Sequence, residues 1–255
     1  MLAIANQKGG VGKTTTALNL AVGLSEMDRR VLLIDIDPQG NCTTGLGVEL
    51  SPGQATIAEV LTGEHTIDEA RCRPRSAALD LVPADGDLTA TEVWLMEQDE
   101  RATVLRSALE PIRGRYDDVV IDCPPALNVL TLNALTAADR VLIPMQCEYY
   151  ALEGLTALIG TIEQIQQSVN PDLEIEGLVR TMYDVRNNLS GAVSNQLAEH
   201  FGDKLYNTIV PRNVRVAESP SYGESVLSYD PESRGAVAYR GLAGEYLRRM
   251  EGRDR

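Results

Sequence analysis

The fold the sequence predicts is a single α/β domain, built on one mostly parallel, twisted sheet with helices on both faces. Three observations carry it. Continuous apolar runs at 30–34, 118–121 and 140–143 have the character of strands buried on both faces, the mark of a parallel sheet. Stretches with helical periodicity stand between such runs, so strands and helices alternate along the chain. The first apolar run, residues 2–5, leads into Lys8-Gly9-Gly10-Val11-Gly12-Lys13-Thr14-Thr15 and then a helix-like run at 17–24. A strand, a glycine turn and a helix start in that order build a phosphate-binding loop.

The other elements follow in order. The strand at 30–34 ends in Asp35-Ile36-Asp37-Pro38-Gln39-Gly40-Asn41. Short helices are predicted over 56–61 and 66–70, a strand over 79–82, and helices over 88–96 and 101–109. The strand at 118–121 ends in Asp122-Cys123-Pro124-Pro125, and the one at 140–143 ends at Pro144. A long amphipathic helix, 152–169, is closed by Asn170-Pro171. A strand over 175–182, a helix over 190–201, a strand over 205–210 and a last helix over 234–250 complete the series. No linker, repeat or low-complexity segment interrupts it, so residues 1–255 read as one domain.

Composition bounds the function. The first strand begins by Leu2, which leaves no room for a secretory leader, and no stretch approaches the ~20 apolar residues of a membrane span. A cytoplasmic location is expected. Four scattered cysteines, with no C-x-x-C pair, read as reduced thiols. The net charge is −14, and of the 23 basic residues only Lys8, Lys13 and Lys204 are lysines. A salt-rich cytoplasm and a GC-rich genome both fit that bias. The molecule as a whole is no basic nucleic-acid binder, so DNA contact requires a local arginine cluster.

The chemistry gathers at strand ends. In the loop, Gly9, Gly10, Val11 and Gly12 bring backbone N–H groups and a helix N-terminus to one point. Lys13 reaches the β- and γ-phosphates, the Thr14 hydroxyl ligates Mg²⁺, and Thr15 touches the α-phosphate. Asp122, at the tip of an apolar strand, reads in isolation equally as a helix cap; beside a phosphate loop it reads as a magnesium-shell acid. Asp37, farther out on a proline-containing loop, is the candidate for orienting the attacking water, and Thr14, Asp37 and Asp122 together make the expected metal shell. Asp35, closer to the strand, has a structural or metal-shell role. Lys8 departs from the ordinary loop pattern, which has glycine one residue earlier where Gln7 stands.

That departure resembles the deviant Walker A signature of P-loop NTPases, in which the first lysine reaches the nucleotide of a facing subunit. Lys8 to Thr16, the stretch from Leu32 to Asn41, Asp122-Cys123-Pro124-Pro125, Glu148-Tyr149-Tyr150-Ala151-Leu152-Glu153-Gly154 and Pro211-Arg212-Asn213-Val214-Arg215 are similar to the ParA/Soj partitioning ATPases. The match spans nearly the whole chain. The resemblance implies ATP and Mg²⁺ as cofactors, with Lys8, Lys13 and Asp37 in catalysis and Pro211, Arg212 and Asn213 bordering the adenine. It also implies a homodimer closed by ATP and a DNA-binding face containing Arg186 and Arg215. The implied partners are non-specific DNA and a ParB/Spo0J-type centromere-binding protein, the implied place the nucleoid. Read without it, both arginines are solvated surface residues.

Three competing readings have their own requirements. A membrane-cycling ATPase of the MinD type needs an amphipathic C-terminal anchor, whereas Ala236, Tyr239, Ala243, Tyr246 and Met250 form a stripe expected to pack on the body. An iron–sulfur carrier needs a cysteine pair to clamp a cluster. A small-molecule ligase needs an acceptor pocket, for which no sequence block is found. Nothing preceding the loop at residue 8 suggests a helix-turn-helix, so the short form is expected.

Overall fold

The computed structural model describes residues 1–149 and 151–253. The strands are β1 (Leu2–Ile4), β2 (Val31–Asp35), β3 (Asp80–Val82), β4 (Asp118–Asp122), β5 (Arg140–Gln146), β6 (Glu174–Tyr183) and β7 (Leu205–Pro211). They form one sheet in the order β3-β2-β4-β1-β5-β6-β7, and every pairing between them is parallel. An isolated antiparallel bridge, Cys72 to Leu81, is added at the β3 edge.

The helices are α1 (Lys13–Ser25), α2 (Asn41–Gly45), α3 (Ile57–Thr62), α4 (Ile67–Ala70), α5 (Leu88–Met96) and α6 (Val104–Leu109). Then follow α7 (Val129–Ala137), α8 (Ala151–Ser168), α9 (Asn188–Phe201), α10 (Val214–Glu218), α11 (Val226–Tyr229) and α12 (Arg234–Arg253). Successive side chains of a strand point to opposite faces, and the two cores divide accordingly. Ala3, Val119, Ile121, Val141 and Ile143 pack with residues of α3 to α9, whereas Leu2, Ile4, Val120 and Leu142 pack with α1, α2, α11 and α12. Both faces are covered, as the continuous apolar runs require.

Several features differ from prediction: α2, α10 and α11 stand where no helix was predicted, and the helix predicted over 101–109 begins at Val104 as α6. Residues 129–137, read as connection, form α7; Leu130, Asn133, Ala134 and Leu135 are each fully buried, so the helix shows no polar face from which its period could be read. The first helix begins four residues earlier than the apolar run suggested, at Lys13, because the phosphate loop feeds straight into its first turn. The C-terminal stripe packs as expected: Ala236, Tyr239, Ala243 and Tyr246 are buried, and the Tyr246 hydroxyl donates to Asp118 at 3.2 Å. Glu245 of the same helix accepts from the backbone N–H groups of Asn207 and Thr208, both at 2.8 Å, which pins α12 to β7.

The wider half of the sheet depends on a small residue. Gly177 follows a register shift between β5 and β6, and a Cβ there would stand 2.5 Å from the Lys204 carbonyl and 2.7 Å from the Tyr206 ring. Tyr206 is fully buried and its hydroxyl donates to Glu176 at 2.8 Å, so the ring has nowhere to go. Gly177→Ala should therefore destabilise the fold by about 1–3 kcal/mol through overpacking. A lowered urea midpoint with unchanged slope is the expected result, and an unchanged midpoint would refute the close approach.

Candidate functional site

The switch in chain direction around β1 opens the site. From β1 the chain crosses to β2 through α1 on one face, and from β4 it crosses to β5 through α7 on the other, so a crevice opens at the carboxyl end of β1. The phosphate loop fills it. Gly10 and Gly12 adopt left-handed backbone with φ of 73° and 85°, so these two positions need glycine. Gly12 caps α1 without any side-chain hydrogen bond, which leaves the first N–H groups of the helix for a ligand. The loop is braced from below: the Thr181 hydroxyl donates to the Val11 carbonyl at 2.7 Å, and Asn6 accepts from the Lys8 N–H while donating to the Pro144 carbonyl.

The two loop lysines are placed differently. Lys13 is 6% exposed, and its Nζ lies 3.3 Å from the Lys8 carbonyl. Burial lowers its pKa, against the opposing pull of Asp122, Cys123 and Asp37. Lys8 stands at the open mouth, its ammonium 2.5 Å from Glu148 in an ion pair that water reaches. One lysine belongs to the pocket, the other to its rim.

Beneath the loop, the register sets three strand ends side by side, with Asp122 of β4 opposite both Ile4 of β1 and Asp35 of β2. Both acids are fully buried. Asp35 is absorbed structurally. Its Oδ2 accepts from the Thr43 N–H at 2.9 Å and the Thr43 hydroxyl at 2.8 Å, its Oδ1 accepts from the Asp37 N–H, and the Thr43 hydroxyl in turn accepts from the Ala84 N–H. Asp122 is the opposite case, since neither oxygen has a donor within hydrogen-bonding geometry. Burial first, then the neighbouring Asp35, push its carboxyl well above the usual range, while the Thr14 hydroxyl and Lys13 favour its charge. Burial likewise lifts Asp35 to about 6. Asp37, 7% exposed, follows on a turn closed by Gly40, whose φ is 59° and whose Cβ position lies 2.8 Å from the Ala84 carbonyl.

The residues fit a magnesium nucleotide. An orphaned buried carboxylate beside the Thr14 hydroxyl, at a helix start with no side-chain cap, suits a cation held partly by phosphate oxygens. Among the described residues no group of three or more His, Cys, Asp or Glu forms a cage that could hold a metal. Pro211, Arg212 and Asn213 line a cleft of about 160 Å³ with Gly12 and Thr15, next to the loop. Asn213 holds that corner by accepting from the Val216 N–H at 3.2 Å, at the start of α10.

Sequence reasoning missed part of this frame. Met182 takes φ of 47° at the end of β6 and its methyl lies 3.7 Å from the Gly12 Cβ position, a role that no sequence signal marks in a residue other than glycine. Thr43 and Thr181 were equally silent. Arg186 and Arg215 lie on the exposed surface, apart from the buried acids, and each is already paired. Arg186 meets Asp184 through two bonds of 2.9 and 2.8 Å, and Arg215 meets Glu218 at 2.9 Å and Asp230 at 3.2 Å. Tyr150, in one of the blocks that carry the resemblance, and Asp254 and Arg255 lie outside the described residues.

Comparison with known proteins names the family. A family profile described as an AAA domain matches residues 1–175. The chromosome partitioning protein ParA of Caulobacter vibrioides is 54% identical over 256 residues, covering 100% of this chain and 96% of that protein. The chain belongs to the ParA/Soj family of partitioning ATPases. The sporulation initiation inhibitor protein Soj of Bacillus subtilis is 47% identical over 245 residues, covering 96% of this chain and 97% of that one. Among solved structures, cobyrinic acid a,c-diamide synthase from Mycobacterium smegmatis with bound ADP and magnesium aligns at a TM-score of 0.86 and 39% identity, over 98% of this chain and 94% of that one. No described helix of this ParA/Soj-family chain is long and apolar enough to cross a membrane.

The raised carboxyls give a linkage prediction. A carboxyl whose folded pKa exceeds its unfolded value binds protons more tightly when folded, so its contribution to stability is greatest at low pH and is lost as pH rises through the folded pKa, near 6 for Asp35. A divalent cation beside Asp122 would favour its charged form, so magnesium-nucleotide binding should release protons, and affinity should rise with pH until Asp122 is ionised without it. Calorimetric heats in buffers of different ionisation enthalpy measure the release. It should shrink in Asp122→Asn, and buffer-independent heats in the parent protein would rule out Asp122 as the responding acid.

Proposed function

We propose that residues 1–255 work as one ATP-driven DNA-partitioning switch. Magnesium-ATP binds at the loop, two subunits close face to face over two nucleotides, the closed dimer holds DNA without sequence preference, and hydrolysis reopens it. A ParB/Spo0J-type partner stimulates that hydrolysis, and the protein works in the cytoplasm on the nucleoid. The observation that supports this reading best is the division of the loop lysines: Lys13 is buried with its own loop, whereas Lys8 faces outward and holds only an exposed carboxylate. A γ-phosphate presented by a partner subunit offers Lys8 a stronger partner than Glu148 does, so closure depends on ATP. Pro211 to Asn213 border the adenine in this reading, and Thr14, Asp37 and Asp122 form the magnesium shell.

Two substitutions separate the lysine roles. Lys13→Ala should abolish ATP binding, while Lys8→Ala should keep it and lose ATP-driven dimerisation. Light scattering with and without ATP reads the second effect; a Lys8 variant that dimerises fully would overturn the assignment.

Asp37 is assigned to orienting water. Asp37→Ala should bind ATP, close and remain closed, with hydrolysis reduced by orders of magnitude at unchanged ATP affinity, the pattern of a lost transition-state interaction. A normal turnover rate would remove Asp37 from the mechanism. Phosphate release without any small acceptor also distinguishes a switch from a small-molecule ligase.

DNA binding falls to Arg186 and Arg215. Exposed ion pairs contribute little to stability, so exchanging Asp184, Glu218 or Asp230 for a DNA phosphate costs little. The net charge of −14 opposes approach over a Debye length of ~8 Å at physiological salt, while salt also weakens counterion release. ATP-dependent binding should therefore peak at intermediate potassium chloride and vanish in Arg215→Glu, with dimerisation intact. Binding that ignores nucleotide, or that survives Arg215→Glu, would exclude this face.

A further inference from the structure

At the end of the sheet away from the phosphate loop, the starts of β2, β3 and β4 lie side by side, with Asp80 opposite Leu32 and Asp118 opposite Val31. Arg29 and Arg30 lead into β2, and Arg115 and Tyr116 stand just before β4. Arg71 and Arg73 flank Cys72, whose antiparallel bridge to Leu81 lays them beside β3. These five arginines line one cleft of about 450 Å³. No residue of the phosphate loop is part of it.

The cleft reverses the charge of the chain locally. The net charge is −14, yet the lining sets five guanidinium groups against the carboxylates of Asp28, Asp68 and Asp80. Lys8, Lys13 and Lys204 all lie elsewhere, so every cation here is a planar fork, the shape that meets a phosphate with two parallel bonds.

The forks are already held in place. Asp80 is buried and accepts from Arg71 at 2.6 Å, from Arg73 at 3.2 Å and from the Tyr116 hydroxyl at 2.7 Å. Against the cost of burial, Tyr116 and Arg71 hold the Asp80 carboxyl below its usual range. Asp68 accepts from Arg115 at 2.6 Å and lies 3.1 Å from Arg71. Asp118 and Asp117, outside the lining, take Arg29 at 2.8 Å and Arg30 at 2.7 Å. Each arginine still keeps a terminal nitrogen out of these bonds, Nη1 in Arg29, Arg30 and Arg73 and Nη2 in Arg71 and Arg115. The side chains of Arg30, Arg73 and Arg115 are 63%, 71% and 55% exposed, so a solute can reach them. It meets donors that need little further ordering.

Charge and size select the ligand. A single phosphate would leave most of the cleft empty and most of the forks unused, whereas a chain of two or three phosphates spans several, in a volume usual for small-molecule sites. A long polyanion would also have to lie along the acidic surface of the chain, while a small one enters the local field alone. We propose that the cleft lined by Arg30, Arg71, Arg73 and Arg115 binds a small oligophosphate group, inorganic or carried by a nucleotide, at a site separate from the phosphate loop.

Hydrogen exchange of the full chain with tripolyphosphate tests this, because the readout is local: failure of the switch reading shows over residues 9–16, failure of this one over 71–80. Slower exchange is expected over 28–31, 71–80 and 115–117, with half-saturation at least tenfold below that for orthophosphate. Arg73→Ser with Arg115→Ser should raise that half-saturation at least tenfold, and Arg30→Ser should raise it as well, with far-ultraviolet circular dichroism and any protection over 9–16 unchanged. A lower half-saturation for ATP than for tripolyphosphate assigns the group to a nucleotide, and the reverse to an inorganic oligophosphate; either supports the site. Protection confined to 9–16, or protection over 71–80 that is unchanged in both variants, overturns it. So does displacement of tripolyphosphate from 71–80 by lower concentrations of duplex DNA or of a polyglutamate peptide, because the cleft would then serve a macromolecule.

Discussion

Two buried carboxylates on neighbouring strands constrain the whole structure. The pairing of β2 with β4 makes Asp35 and Asp122 register partners, and the position of β1 beside β4 sets both under the phosphate loop. A buried charge without a partner is so costly that the surroundings must either satisfy it or neutralise it. The chain treats the two acids differently. Asp35 is satisfied by three donors, and those bonds also draw the Asp37 loop and the Ala84 strand end into place. Asp122 is left without donors, beside a lysine whose own charge burial disfavours. Such a cluster is incomplete in electrostatic terms, and a bound cation with its anionic nucleotide would complete it.

The completeness of Asp35 fixes the start of the neighbouring loop. Asp37 lies two residues beyond an acid that is fixed, and its own carboxylate is tied only to the Gln39 N–H at 3.0 Å. Gly40 then turns the chain against the Ala84 carbonyl with no room for a Cβ. The loop is held at both ends and at Asp37, whose N–H donates to Asp35 and whose carbonyl accepts from the Gly40 N–H at 2.9 Å.

What was legible in the sequence is what is local in it. The phosphate loop is one contiguous run, and Asp35, Asp37 and Asp122 are marked by the apolar strands that precede them. Helix α7 was hidden because burial on every side erased its period, and Pro124-Pro125 before it read as the end of a structure instead of an approach to one. The braces of the loop were hidden for a different reason. Thr181 is 170 residues from Val11 and Thr43 is 41 from Ala84, so no spacing rule connects them. The partners of Arg186 and of Arg215 at Glu218, by contrast, were in view: Asp184 precedes one by two residues and Glu218 follows the other by three. Reading those arginines as solvated surface residues did not use neighbours that the sequence printed beside them.

The same local pairing bears on how the proposed closure is driven. Lys8 and Glu148 are a half-exposed pair, so water screens their attraction and the pair holds Lys8 in place without committing it. At 4 Å a unit charge pair gains about 1 kcal/mol in bulk water and about 4 kcal/mol at an effective dielectric of 20. A γ-phosphate carries more than one charge, and an interface closed over it excludes water. In the proposed closure the lysine would gain a stronger partner at the phosphate, but only after a second subunit had covered it. Before that the exposed Glu148 is an adequate partner and the open state costs nothing. Dependence on ATP then follows from the difference in dielectric between the two positions of one ammonium group, without any requirement that the subunit be strained beforehand.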